Sequence, residues 1–325
     1  MLSVRLPYEC QENASFYLAM EEYLARFTNK EYFFMWQVSP SVIMGRNQLM
    51  ANEINMDFCR KNRIKIFRRK SGGGCVYADE GNVMLSYVGT GDNVQYSFRH
   101  YVAMVVKALA DLGIPFVESS GRNDIMLNGR KISGNAFYHI QDRNIVHGTL
   151  LYDTNMTNMV NSITPDNQKL ETKGIRSVNQ RIGLLKDYYN GNLSSLKLFL
   201  EKHLTCDRIV LQPHEIDTIR EIEKEYLSDE FLYGHDPLYS ISKHFYKKGC
   251  GSLSLKISIK DCRIKKVEIA GDFMELGDIN RFLLQPLTNI SYTKTSIQEV
   301  YKDIDVGQYI MNLSNDEFVN LLVPE

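Results

Sequence analysis

The sequence predicts an α+β protein with a larger domain over residues 1–235, a connection at 236–249 and a smaller domain over 250–325. Three observations carry that reading. Apolar residues recur at helical spacing in segments such as QENASFYLAMEEYLARF, where Phe16, Met20, Tyr23, Leu24 and Phe27 fall on one stripe. Elsewhere apolar and polar residues alternate, as in SLSLKISIK (252–260) and, less regularly, RIKKVEIAGDF (263–273), which is the period of a half-buried strand. Between the two regions the composition shifts, and DEFLYGHDPLYS (229–240) reads as a connecting segment.

In chain order, the first helix follows Asn13, a residue suited to capping an N-terminus. EYFFMWQV (31–38) and SVIM (41–44) are β-rich and are split by Ser39-Pro40, so two strands and a tight connection are expected. A short helix near 52–62 leads to the strand IKIF (64–67), and two more strands follow at Cys75–Ala78 and Val83–Val88. Residues 97–112 read as a helix closed by Gly113, with Pro115 beyond. In DIMLNGRKIS (124–133), Asn128-Gly129 suits a two-residue type I′ turn between strands. AFYHI (136–140) and IVHGTLLYD (145–153) form a second hairpin around QDRN. Residues 153–190 are polar and irregular, which predicts a mobile loop, and helices are expected near 194–203 and 214–227. In the C-terminal part an antiparallel pair turns at Lys260-Asp261-Cys262, with helices near 277–284, 296–301 and 315–322.

The bulk properties exclude several classes of function. A net charge of −1 is unlike the strongly basic surface that broad nucleic-acid binding needs. No apolar run approaches the length of a membrane span, and MLSVRLPYEC has no secretory pattern. Six cysteines (10, 59, 75, 206, 250, 262) are scattered without a C-x-x-C pair, which fits a reduced cytoplasm better than a disulfide framework or a zinc ribbon.

Three stretches could carry chemistry. RRKSGGGCVYADEGN (68–82) runs three cations into a glycine triplet. Glycines let the backbone approach a ligand where any Cβ would collide, and arginine grips carboxylates and phosphates bidentately. The same composition also describes a solvated loop after an edge strand. It is neither a Walker A loop nor a dinucleotide fingerprint, since a strand follows it. GRNDIMLNGRKISGNA (121–136) places Asn123-Asp124 at a strand start, where a carboxylate could serve magnesium, and Lys131 just past the turn. From the residues alone, Lys131 reads first as an ordinary exposed hairpin lysine, since lysines are mostly surface residues. Ser133-Gly134 within a strand points to close approach of something to the backbone. HGTLLYD (147–153) opens with His147, which either orients a ligand or is bonded to its neighbours.

Taken together, GRNQ (45–48), RRKSGGGCVYADEGN, GRNDIMLNGRKISG, HGTLL and KGIRSV (173–178) resemble lipoate–protein ligases, in the order and at the spacing of that family. The C-terminal GDF-containing segment is similar to the accessory domain of bacterial members. The resemblance implies a biotin/lipoate ligase-like fold with mixed and antiparallel sheets flanked by helices. It implies ATP-dependent activation of lipoate to lipoyl-AMP, then transfer to a lysine of an acceptor lipoyl domain, on a dihydrolipoamide acyltransferase or a glycine-cleavage H protein. Lys131 matches the family's essential lysine. Arg69, Ser71, Gly72, Gly73, Gly74 and His147 are implied at lipoate. Val76, Tyr77, Asn82, Asn123, Asp124, Ser133, Gly134, Thr149 and Lys173 are implied at ATP or the adenylate, and Asp124 at magnesium. A monomer acting without nucleic acid or membrane is expected.

Two positions depart from the family pattern. Ala78 stands before Asp79 where many members have histidine, and Cys75 follows the triplet where a small residue is common. Cys75 keeps open a second reading. Octanoyl- and lipoyl-transferases share the fold and pass the acyl group through a cysteine thiolate without ATP. A protein that binds lipoate or its adenylate without turnover is a third.

Overall fold

The computed structural model describes residues 1–48, 50–91, 93–121, 123–163, 181–233, 241–260 and 263–323. The chain divides into two compact units, one built from Met1–Met44, Met50–Arg69 and Cys75–Leu232, the other from Gly45–Leu49, Lys70–Gly74 and Tyr233–Glu325. The architecture is α+β, as expected.

The first unit is organised on an eight-stranded mixed sheet. Its strands are β1 (Leu2–Arg5), β2 (Tyr32–Trp36), β6 (Asn82–Thr90), β7 (Val117–Ser119), β8 (Asp124–Leu127), β9 (Arg130–Ile140), β10 (Arg143–Leu151) and β11 (Asp207–Val210), in the order β11-β1-β2-β6-β10-β9-β8-β7. The β1 strand pairs parallel to both β11 and β2, and the remaining neighbours are antiparallel. Neither β1, β7 nor β11 was expected, because strands of three or four residues carry too little alternation to register. A second sheet holds β3 (Ser41–Met44) between β4 (Lys65–Arg68) and β5 (Val76–Ala78). Thus β2 and β3, separated only by a short link, serve different sheets.

Helix α1 (Ala14–Phe27) lies against β6, β9 and β10 and against a later helix, Pro213–Leu227. Phe16, Met20, Tyr23 and Leu24 of its stripe join Phe34, Trp36, Met84, Val88 and Ile145 in one buried cluster, whereas Phe27 is exposed. Asn13 does stand at its N-cap, but makes no capping bond there; its Oδ1 instead accepts from Lys65 Nζ at 2.7 Å. The short helix expected near 52–62 is two, α2 (Met50–Glu53) and α3 (Met56–Lys61). Helix α4 (Val94–Asp111) starts three residues earlier than its apolar pattern indicated, because Asn93 Oδ1 caps the Tyr96 N–H at 2.9 Å. It covers the opposite face of the sheet, where Phe98 packs on Phe137 at 5.0 Å. Within the segment read as a loop lies α5 (Met156–Ser162); the helices α6 (Leu193–Leu204), α7 (Pro213–Leu227) and α8 (Asp229–Tyr233) follow. Residues 164–180, with Lys173 and KGIRSV, lie outside the described residues.

The second unit contains an antiparallel sheet of β12 (Ile241–Lys247), β13 (Gly251–Lys260) and β14 (Arg263–Gly271). The β12 strand occupies half of the stretch 236–249 that composition marked as a connection: ISKHFYK does alternate, but its lysines and histidine gave it a linker's polarity. Helical turns at Asn280–Leu284 and Gln285–Leu287, then α9 (Lys294–Val300) and α10 (Asn315–Leu322), complete a core that includes Leu255, Phe273, Leu287 and Phe318.

Candidate active site

The catalytic lysine inferred from sequence sits in a strand with one residue too many. Along β8 and β9 the partners run Leu127↔Arg130, Met126↔Lys131, Ile125↔Ser133 and Asp124↔Gly134. Ile132 is the extra residue. Such a bulge resets the alternation of a strand and re-aims the side chain beside it. The hairpin turn has Asn128 at φ 50° and Gly129 at φ 74°, the type I′ geometry that its sequence demanded. Lys131 leans along β9 instead of outward. Its Nζ comes within 2.8 Å of Asp124 Oδ1. A Cβ built on Gly134 would lie 2.8 Å from that same Nζ. Lys131, Asp124 and Gly134 therefore form one group on one face, with the ammonium seated against a carboxylate and a bare backbone.

The strands around this group are tied by side chains. Gly134 N–H donates to Thr149 Oγ1 at 3.1 Å. Asn135 N–H and Asn135 Nδ2 both donate to the Asn123 carbonyl, at 2.8 and 2.9 Å, and Asn123 Nδ2 returns a bond to the Asn135 carbonyl at 3.0 Å. Ser133 Oγ donates to Asn135 Oδ1 at 3.2 Å. Gly148 lies opposite Asn135, and a Cβ on it would fall 1.9 Å from Asn135 Oδ1. The sequence flagged Asn123, Ser133, Gly134 and Thr149, but it missed Asn135 and Gly148.

A second group lies around the β5–β6 turn. Asp79 is buried and accepts from Gly81 N–H, Thr154 Oγ1 and Asn155 N–H, which joins the turn to the chain leaving β10. Tyr77 is buried beside it, its phenol pushed up to about 12 by burial, and its hydroxyl accepts from Asn158 Nδ2 at 3.3 Å. Asn82 Nδ2 donates to the Tyr77 carbonyl at 3.0 Å, while Asn82 Oδ1 is buried with no hydrogen-bond partner among the described residues. Val76 is half-buried in β5. Ala78 is wholly buried and pairs with Ser41, so this position is part of the core.

A third group is buried under α1. His147 Nδ1 lies 2.8 Å from Glu21 Oε2, and Ser86 Oγ donates to Glu21 Oε1 while accepting from Trp36 Nε1 at 2.8 Å. Two acids, Glu21 and Glu22, inside the buried part of α1 were the signal available in the sequence. Arg69 is buried, its side chain donating to the Ile43 carbonyl at 3.0 Å; burial pushes its pKa down to about 10, against the pull of Cys75 and Glu21. It stays charged at neutral pH.

Ser71, Gly72, Gly73 and Gly74 belong to the second unit. There Gly73, at φ 91°, donates its N–H to the Phe273 carbonyl at 2.8 Å, and a Cβ on Gly72 would lie 2.7 Å from the same oxygen. Close backbone approach thus calls for glycine at 72, and a positive φ for glycine at 73. The sequence led to the expectation of a ligand there, and the approaching group seen is the GDF segment. A Cβ on Gly74 would meet only Asp272, whose Cβ lies at an ordinary 3.5 Å. The GRNQ loop belongs to the same unit, with Gly271 N–H bonded to the Asn47 carbonyl.

Among the described residues no cluster of three metal-ligating side chains occurs, and no helix is long and apolar enough to cross a membrane. A lone carboxylate nevertheless fits magnesium, which binds through one or two protein carboxylates together with substrate phosphates and water; Asp124 offers that donor.

This fold is that of the lipoate ligases. The crystal structure of P. falciparum LipL1 in complex with lipoate matches with a TM-score of 0.77 at 21% identity, over 98% of this chain and 97% of that one. Lipoate-protein ligase A bound with ATP matches at 0.62 and 23% identity, over 72% of this chain and 99% of that one. In sequence, the lipoate-protein ligase LplJ of Bacillus subtilis is 31% identical over 318 residues, 94% of this chain and 95% of the relative. The family model for the lipoyl protein ligase A/B catalytic domain matches residues 13–203, and that for the bacterial lipoate protein ligase C-terminus matches residues 236–322. The chain belongs to the lipoyl protein ligase family.

Proposed function

We infer that the chain is an ATP-dependent lipoate–protein ligase. The observation that carries this is the seat of Lys131, a single cation held against Asp124 and Gly134. In the first half-reaction a carboxylate oxygen of lipoate attacks the α-phosphorus of ATP and pyrophosphate leaves, giving lipoyl-AMP. Negative charge gathers on the α-phosphate oxygens as the new bond forms, and a pre-positioned ammonium stabilises it without reorganisation. In the second, the neutral ε-amine of an acceptor lysine attacks the acyl carbon, loses its proton, and AMP leaves. Neither step needs an enzyme nucleophile; positioning and electrostatics supply the rate.

We assign Lys131 to both the carboxyl and the α-phosphate, and Asn123, Ser133, Gly134 and Thr149 to the adenylate. Asn82 joins them: its buried, unpartnered Oδ1 calls for a donor, which the amino group of adenine supplies. Magnesium, held by Asp124, would draw charge from the phosphates. Arg69 and His147 we assign to lipoate. The assignments of Ser71–Gly74, Val76, Tyr77 and Lys173 rest on likeness of sequence. The acceptor is a lipoyl domain, of a dihydrolipoamide acyltransferase or a glycine-cleavage H protein. We further propose a cytoplasmic monomer, with activation in residues 1–235 and an accessory role for 250–325. A cysteine-dependent transferase is the less favoured reading: Arg68 and Arg69 lie close enough to feel the charge of Cys75, but the thiol is half-buried against the apolar cluster of Val42, Met44 and Tyr77.

The test is direct. Purified protein with lipoate, magnesium and ATP, but no acceptor, is expected to release pyrophosphate and accumulate lipoyl-AMP. If neither forms, while a lipoylated donor protein leaves an acyl thioester on the chain, the transferase reading replaces this one.

A further inference from the structure

We propose that Asn135 is a positioning residue for the adenylation step, acting through Asn123 and Asp124 on Lys131. It touches no reacting atom. The β8–β9 hairpin holds the lysine between two closures. One is the Asn128-Gly129 turn; the other is the open end, where β8 begins. Between them the extra Ile132 interrupts the ladder, so the pairing that should hold Asp124 opposite Gly134 has lost its regular support on one side. Three bonds restore it at the open end: Asn135 N–H and Nδ2 to the Asn123 carbonyl, and Asn123 Nδ2 to the Asn135 carbonyl. Asp124 is the next residue after this clamp. Its carboxylate can stay 2.8 Å from Lys131 Nζ only while that stretch of chain stays against β9.

The arrangement has been given room. Asn135 is buried, and its side chain crosses the backbone of Gly148, where a methyl group would fall 1.9 Å from Oδ1. Asn135 and Phe137 lie on the sheet face covered by α4, the opposite face from Gly134. The clamp therefore works from behind the sheet, leaving the lysine's face clear. Two glycines serve this one strand: Gly134 admits the ammonium on the front, and Gly148 admits the amide on the back.

The inference rests on the ligase reading, so the wild-type protein is measured alongside. The experiment compares wild type, Asn135→Ala, Asn135→Asp, Gly148→Ala and the double variant Asn135→Ala/Gly148→Ala. Single-turnover lipoyl-AMP formation, transfer from supplied lipoyl-AMP to an acceptor lipoyl domain, and thermal unfolding are followed for each. Asn135→Ala removes one of the three bonds, that of Nδ2, and the loosened clamp is expected to slow adenylation on the order of 10- to 100-fold, as a misplacement near 1 Å does. KM for ATP and lipoate should move less than about threefold, and transfer, whose adenylate the same hairpin holds, should fall less than adenylation. Gly148→Ala should slow adenylation in the wild-type background but add less once Asn135 is alanine, because the severe collision is with that side chain and only the 3.1 Å contact with the Gly134 carbonyl then remains. Should Asn135→Ala not fold, Asn135→Asp, which keeps the shape but sets a carboxyl oxygen against the Asn123 carbonyl in place of the donor, carries the same expectation. Unchanged adenylation per folded molecule, an equal loss in both half-reactions, or strictly additive effects of the two substitutions would overturn the proposal. Absence of lipoyl-AMP from the wild type would instead sink the ligase reading itself.

Discussion

The ammonium of Lys131 occupies the space that a side chain at residue 134 would need: a Cβ there would lie 2.8 Å from Nζ and 2.9 Å from Cε. Since the obstructing atoms are the far end of a flexible chain, Gly134→Ala need not disturb the fold. It must move the lysine. Adenylation is expected to fall about 10- to 100-fold while the unfolding temperature changes little, a separation checked by pairing single-turnover kinetics with a thermal melt.

Lys131 itself is 38% exposed and belongs to no apolar cluster, so Lys131→Ala should fold normally and lose adenylation altogether. Lys131→Arg keeps the charge but brings a wider, planar group to a seat shaped around an ammonium, and is expected to restore little. An active Lys131→Ala protein in the pyrophosphate assay would remove the basis of the assigned chemistry.

Cys75→Ala is expected to retain most ligase activity, with KM for lipoate shifted no more than a few-fold. Its half-buried thiol contacts apolar neighbours and has no step to perform. Steady-state lipoylation of an acceptor domain reads this out, and total loss would revive a thioester pathway.

Acid stability depends on Glu201 of α6. Burial alone would raise its carboxyl, but bonds from Arg5, Ser3 and Arg208 outweigh that and hold it at about 2, below its ordinary 4.5. A depressed folded pKa means stability that is fully present above the unfolded value and lost as pH falls through the folded one. Glu201→Gln should therefore melt several degrees lower than wild type at about pH 6, and the gap should close between about pH 4 and pH 2. Melting curves across that range provide the check.

Much of this architecture was legible. The stripe of α1, the Asn128-Gly129 turn and the alternation of β13 and β14 are local patterns, and local patterns survive in one sequence. What was lost depends on distance along the chain. Nothing in Leu2–Arg5 says that its partner is Asp207–Val210, and nothing in Ser39-Pro40 says that β2 and β3 part company. The site divides the same way. Lys131, Asp124 and Gly134 lie close together in the sequence and were found. Glu21 meets His147 across 126 positions, and Gly148 earns its place only through Asn135, so neither could be read without the fold.

The pairing of β1 has a consequence for how the protein is made. It lies between β2 and β11, and its parallel partner β11 ends at Val210. At roughly 5–20 residues per second, on the order of ten to forty seconds separate the synthesis of β1 from that of β11. For all that time one edge of β1 has no strand to bond, and the eight-stranded sheet cannot close on its N-terminal side. Nascent chains arrested before residue 205 should be cleaved readily near their N-terminus by added protease, and chains arrested well beyond residue 250 should resist.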